Sequence, residues 1–107
     1  MRKRKRCPPI PKSLDLPGGP VPVEVVSRKK MQEWADKGEE LFGYFHEAER
    51  RISILGTMST SAQWRTLWHE WAHALFQDTG LSNGMNLATE ESLCDAISSG
   101  LMRVWHG

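Results

Sequence analysis

Trp68-His69-Glu70-Trp71-Ala72-His73 decides how this chain is read, because it sets H-E-x-x-H inside a helical pattern. Trp64, Leu67, Trp68, Trp71, Leu75 and Phe76 recur at helical spacing, which predicts a helix from about Thr60 to Asp78. Residues four apart on a helix of about 3.6 residues per turn stand one above the other. His69 and His73 therefore offer two imidazoles to one zinc ion, and Glu70 projects beside them, within reach of a water on that ion. A helix that merely carries two histidines is the plain alternative. A third ligand decides between them.

Outward from this helix, residues 57–61 hold several candidate N-caps, and Gly80 stands where a left-handed residue ends a helix, with Leu81 folding back. Residues 81–87, containing Ser82-Asn83-Gly84, read as a loop. Thr89 can cap a final helix running to about Trp105, with Glu90 and Glu91 in its first turn and Leu93, Ile97, Leu101 and Val104 as the expected buried stripe. Upstream, Phe42-Gly43-Tyr44-Phe45-His46 and residues 50–55 flank Glu47-Ala48-Glu49, the pattern of a hairpin over 43–55 that ends at Gly56. Val21-Pro22-Val23-Glu24-Val25-Val26 alternates and reads as the first strand, with Pro22 placing it at an edge or a strand start. Residues 27–41 are polar, with Met31, Trp34 and Leu41 as sparse apolar marks. They fit a short helix beginning at Ser27 or Arg28.

A chain of 107 residues holds one core, here expected over 21–107. Residues 1–20 carry six Lys/Arg against one acid, and the rest carries eight against twelve, so a net charge of +1 conceals two electrically different parts. All six prolines fall at or before Pro22, which makes 1–20 read as a disordered basic arm dispensable for the fold. Its cluster Arg2-Lys3-Arg4-Lys5-Arg6 suits weak contact with nucleic acid or an acidic partner, although a solvated terminus is the plainer reading. Cys7-Pro8-Pro9-Ile10-Pro11-Lys12 follows that cluster where a signal peptide would be apolar, and no run of about 18 apolar residues spans a membrane. Cys7 and Cys94 are not expected to form a disulfide, and the expected compartment is the cytoplasm.

For the third ligand, a histidine six residues after His73 would mark a metzincin, but Thr79 stands there, and Phe76 stands where that class has glycine. The thermolysin-like arrangement instead takes a glutamate from a following helix, with an acid four residues later. Glu91-Ser92-Leu93-Cys94-Asp95 fits it. One turn separates Glu91 from Asp95, so Glu91 can reach the metal while Asp95 accepts the second ring N–H of a ligand histidine. Glu90 is the competing ligand, less favoured because it would lose that pairing. Ordinary first-turn acids are the structural alternative for both glutamates.

Residues 66–74, followed by Glu91, Cys94-Asp95-Ala96-Ile97-Ser98 and preceded by the isoleucine strand Arg51-Ile52-Ser53-Ile54, resemble the ImmA/IrrE family of metallopeptidases, above all its short phage and mobile-element versions. The resemblance covers roughly residues 21–105. It implies an α+β, zincin-like fold with a small sheet beside two site helices, and a hydrolase that cleaves regulatory proteins such as repressors. It further implies zinc bound by His69, His73 and Glu91, Glu70 as general base, and Asp95 orienting a ligand. Tyr44 and His46 are candidate oxyanion donors, with packing in a strand the simpler role for Tyr44. Against that resemblance these 107 residues are short, and they are not expected to include the extra helices and the DNA-reading domain that some relatives carry. A non-catalytic, zinc-stabilised binding module is the second reading, and retention of Glu70 favours the enzyme.

Overall fold

The computed structural model describes residues 7–106, and its elements follow in the order β1 (Ser13–Leu16), β2 (Gly19–Val26), α1 (Arg28–Gln32), β3 (Gly43–His46), β4 (Arg51–Leu55), α2 (Thr60–Thr79), a 3-10 turn (Leu81–Gly84) and α3 (Leu87–His106). The fold is α+β, with a four-stranded mixed sheet in the order β1-β2-β4-β3. β2 and β4 are the central, parallel pair, with Val23 opposite Ile52 and Val25 opposite Ile54. β1 and β3 add antiparallel to their outer sides, so β3 is an edge strand.

Period-two patterning builds the core. Val21 and Val23 of β2 and Ile52 and Ile54 of β4 bury their side chains with Trp64, Leu67 and Ala74 of α2. Leu55 and Ser53 of β4 are buried as well, and α1, with Met31 buried, packs on that strand. α2 is ended by local chemistry: Ser59 Oγ accepts the Ala62 N–H, and Gly80 adopts φ +78°. Ser27 Oγ caps α1 in the same way by accepting the Lys30 N–H. Among the described residues, no helix is long and apolar enough to cross a membrane.

The N-terminal segment departs from the sequence expectation. Ser13–Leu16 is a strand, and its partner begins at Gly19, not Val21. Leu16 is buried, Cys7, Ile10 and Leu14 pack against the core, and the Pro8 carbonyl accepts the Trp64 indole N–H at 2.6 Å. The arm expected over 1–20 is therefore part of the fold from Cys7 onward. Leu14 and Leu16 alternate with Ser13 and Asp15, and that period outweighs the proline content because the prolines sit beside the strands or, as Pro20 and Pro22, inside β2 ahead of the residues from Val23 onward that pair with β4, so that Pro22 marks neither an edge strand nor a strand start. The basic cluster 2–6 lies outside the described residues.

α3 also differs. Asn86, not Thr89, caps it: Asn86 Oδ1 accepts the Thr89 N–H at 2.8 Å. Its buried positions are Cys94, Ser98 and Met102, whereas Leu93 and Val104 are exposed. The contact with α2 is made through small residues (Ala72, Cys94, Ser98), which let two helices approach closely, and Ser98 Oγ donates to the Arg65 carbonyl at 2.7 Å.

Candidate metal centre

α2 has three faces. Trp64, Leu67 and Ala74 face the sheet, while Ala72 and Phe76 face Cys94 of α3. Between these two apolar sectors, Thr66, His69, Glu70, His73 and Gln77 look into a cleft of about 1030 Å³ bounded by β3 on one side and α3 on the other. Helical periodicity alone puts the two histidines and Glu70 on this sector, since residues 66, 69, 70, 73 and 77 repeat at steps of three and four.

α3 supplies the carboxylates. Glu91 Oε1 lies 2.7 Å from His73 Nε2, and Oε2 lies 3.2 Å from His69 Nε2. The other ring nitrogens are held from outside. His69 Nδ1 is 2.8 Å from Asp95 Oδ1, and His73 Nδ1 is 2.5 Å from Glu90 Oε2. Glu91 and Asp95 thus sit as their spacing suggests. Glu90 occupies a position that the sequence reading did not consider: it stands beside the second nitrogen of His73 while Glu91 stands beside the first. Two successive residues of a helix diverge by about 100°, enough to bracket one imidazole from both sides. The signal was the run Glu90-Glu91 itself.

His69, His73 and Glu91 form a group that could hold a metal ion, each offering a ligand atom within 4.8 Å of the others. The donors fit such an ion chemically. Both Nε2 atoms face the shared carboxylate, and an acid at each Nδ1 keeps the proton there, which leaves Nε2 as a lone-pair donor. Burial disfavours the His73 cation, but the Glu90 hydrogen bond and the charges of Glu70 and Glu91 outweigh it and raise its pKa, so an ion would have to displace a proton. Cys94, close behind the acids, is fully buried, and burial and then the charges of Glu90 and Glu91 push its thiol up to about 12.

Glu70 stands apart from the donor group. Burial pushes its carboxyl above the usual range, partly opposed by His69 and His73, and the carboxyl accepts the Phe45 backbone N–H. That contact depends on Gly43. A Cβ there would lie 2.4 Å from Thr66 Cγ2 and 3.2 Å from Glu70 Cγ, so only glycine lets β3 lie this close to α2. A glycine inside a strand pattern was the available sign.

The two candidate oxyanion donors do not converge on the histidines. His46 Nε2 lies 2.9 Å from Ser53 Oγ on the far face of the sheet, in a network with Glu24 and Arg51, and burial, followed by Arg51, lowers its pKa. Tyr44 lines the cleft, yet its ring packs against Trp34 and His46. Strand parity explains both, because Tyr44 and His46 alternate with Gly43 and Phe45, which face α2.

Comparison with protein-family models, with curated proteins and with solved structures gave no match.

Proposed function

We propose that the chain is a small zinc-dependent endopeptidase acting on an extended segment of a protein. One observation carries the reading: Glu91 spans both Nε2 atoms of an H-E-x-x-H helix while Asp95 and Glu90 hold the two Nδ1 atoms. Two imidazoles and one carboxylate are a donor set suited to catalytic zinc, which keeps a further position open. When bound, zinc would supply a water of lowered pKa and polarise the peptide carbonyl. The resemblance to ImmA/IrrE peptidases agrees with this reading and suggests a regulatory protein, such as a repressor, as the substrate.

The chain's own residues do the rest. Glu70, beside the donors but not among them, takes the proton of the attacking water and passes it to the leaving amine. The Phe45 N–H holds the Glu70 carboxylate in place for that transfer. β3 aligns the substrate: Phe42 pairs with Leu55 and Tyr44 with Ser53, so by antiparallel alternation Gly43 and Phe45 face the open edge, and with the Phe45 N–H engaged by Glu70 the Gly43 N–H and the two carbonyls are left for the substrate. An extended segment can add there by main-chain hydrogen bonds.

The test is metal analysis of the purified protein, then cleavage of candidate partners by wild type and by Glu70→Gln. One zinc per chain in both, with cleavage by wild type alone, is the expected result. Equal cleavage by both removes Glu70 from the mechanism. Zinc retained with no cleavage by either shifts the reading to a zinc-stabilised binding module.

A further inference from the structure

Resting on the peptidase reading, we infer that the cleft selects segments carrying lysine or arginine on both sides of the bond to be cut. The groove has the form for an extended chain, since the edge strand β3 forms one wall and α3 the other. Its charge names the occupant. Among the described residues, eight carboxylates line the cleft against a single arginine, Arg65. Four of the eight belong to the centre just described, and a divalent ion would offset only part of their charge.

The other four are Asp36, Glu39 and Glu40, from the connection between α1 and β3, and Glu47, from the turn after β3. All four are exposed. Glu40 is answered by Arg28 at 3.2 Å, whereas Asp36, Glu39 and Glu47 have no cationic partner among the described residues. Acids left unpaired on both flanks of the strand that aligns the substrate raise the local concentration of cationic chains and repel acidic ones. The same field excludes a nucleic-acid backbone from the cleft. Trp34 at the rim is already covered by Lys30 and Arg51, while the exposed ring of Tyr44 beside it adds aromatic surface that a lysine or arginine stem can cover.

The experiment uses the full chain as Glu70→Gln, loaded with zinc. A capped, fluorescently labelled peptide with lysines on both sides of a central apolar pair is compared with the same peptide bearing glutamine at those positions. Anisotropy should show the lysine peptide binding roughly tenfold tighter at low salt, with the advantage shrinking as salt rises. The combined variant Asp36→Asn, Glu39→Gln, Glu47→Gln should erase most of that ratio. Equal binding of the two peptides, no binding of either, or a lysine preference that survives the triple variant overturns the inference. Cleavage by wild type separates it from the reading beneath it. Cutting without charge preference defeats only the inference, and preferred binding without cutting by wild type defeats only the peptidase.

Discussion

Gly43→Ala is the sharpest probe of how the edge strand is held to the helix. The backbone at Gly43 is one that alanine can adopt, so any cost comes from contact. Its Cβ would lie 2.4 Å from Thr66 Cγ2, more than an ångström inside the usual carbon–carbon separation of about 3.5–4.0 Å. Thr66 is β-branched and sits on a rigid helix, so β3 has to lift. Overpacking of this kind costs about 1–3 kcal/mol. The alanine also stiffens the unfolded chain, which offsets about 0.4–1 kcal/mol. A net loss on the order of 1–2 kcal/mol lowers the melting temperature of a domain this size by roughly 4–16 °C. Lifting β3 also withdraws the Phe45 N–H from Glu70, so peptide cleavage should fall further than zinc affinity does. Thr66→Ser removes the methyl group in the way, and the double variant should recover both stability and cleavage. A melting temperature equal to wild type in Gly43→Ala, or a double variant no better than the single, refutes the close-packing explanation.

Asp95→Asn and Glu90→Gln should each weaken zinc binding by roughly ten- to a hundredfold, because each disturbs the group that orients a ligand imidazole; Glu91→Ala should weaken it further than either, and isothermal titration with unchanged affinities would reduce them to surface acids. Asp78 is held down at about 2 by its bidentate pair with Arg50 and by the Gly18 N–H. A carboxyl whose folded pKa is lowered stabilises above its unfolded value and loses that contribution as pH falls towards the folded one. Urea midpoints of wild type should therefore drop between about pH 4 and pH 2 by more than those of Asp78→Asn, and parallel curves would contradict the pairing. Deleting residues 1–17 removes Leu16 and the Pro8 acceptor of Trp64 and should cost at least about 2–3 kcal/mol; an unchanged melting temperature would mean that β1 contributes nothing.

Where apolar periodicity was strong, the sequence was legible. α2, its left-handed Gly80 and the β3–β4 hairpin follow from spacing and turn chemistry, and so does the convergence of His69, His73, Glu91 and Asp95, because helical geometry fixes which side chains share a face. The failures share a cause, in that small or sparse residues carry the contact. β1 buries only Leu14 and Leu16 among prolines and glycines, so composition hid its period. On α3 the expected stripe holds in part: Ile97 and Leu101 are half-buried, but Leu93 and Val104 are exposed and the fully buried positions are Cys94, Ser98 and Met102, since helix–helix approach rewards small side chains that hydropathy underrates. Linear spacing makes Glu90 only a rival to Glu91. Nothing in linear spacing says that two neighbouring acids can serve opposite sides of one ring. The clasp of Asp78 on Arg50, Gly18 and, through Arg50, the Gly19 carbonyl joins three distant segments and leaves no local pattern to read.

The seat of α3 has a thermodynamic consequence. Among the described residues, this helix rests on α2 through the small buried cluster Ala72, Phe76 and Cys94, with Ile97 packed against it and Met102 reaching the sheet core, and its Glu91 reaches back to His69 across 22 residues of chain. An ion gripping both ends of that span would act as a removable cross-link. Closing a loop of this length ahead of folding spares about 3 kcal/mol of chain entropy. Chelation should then free the last helix before the sheet yields. Amide exchange would register this as α3 losing protection while β2 and β4 keep theirs, so the fold would come apart in the reverse of the order in which its sequence runs.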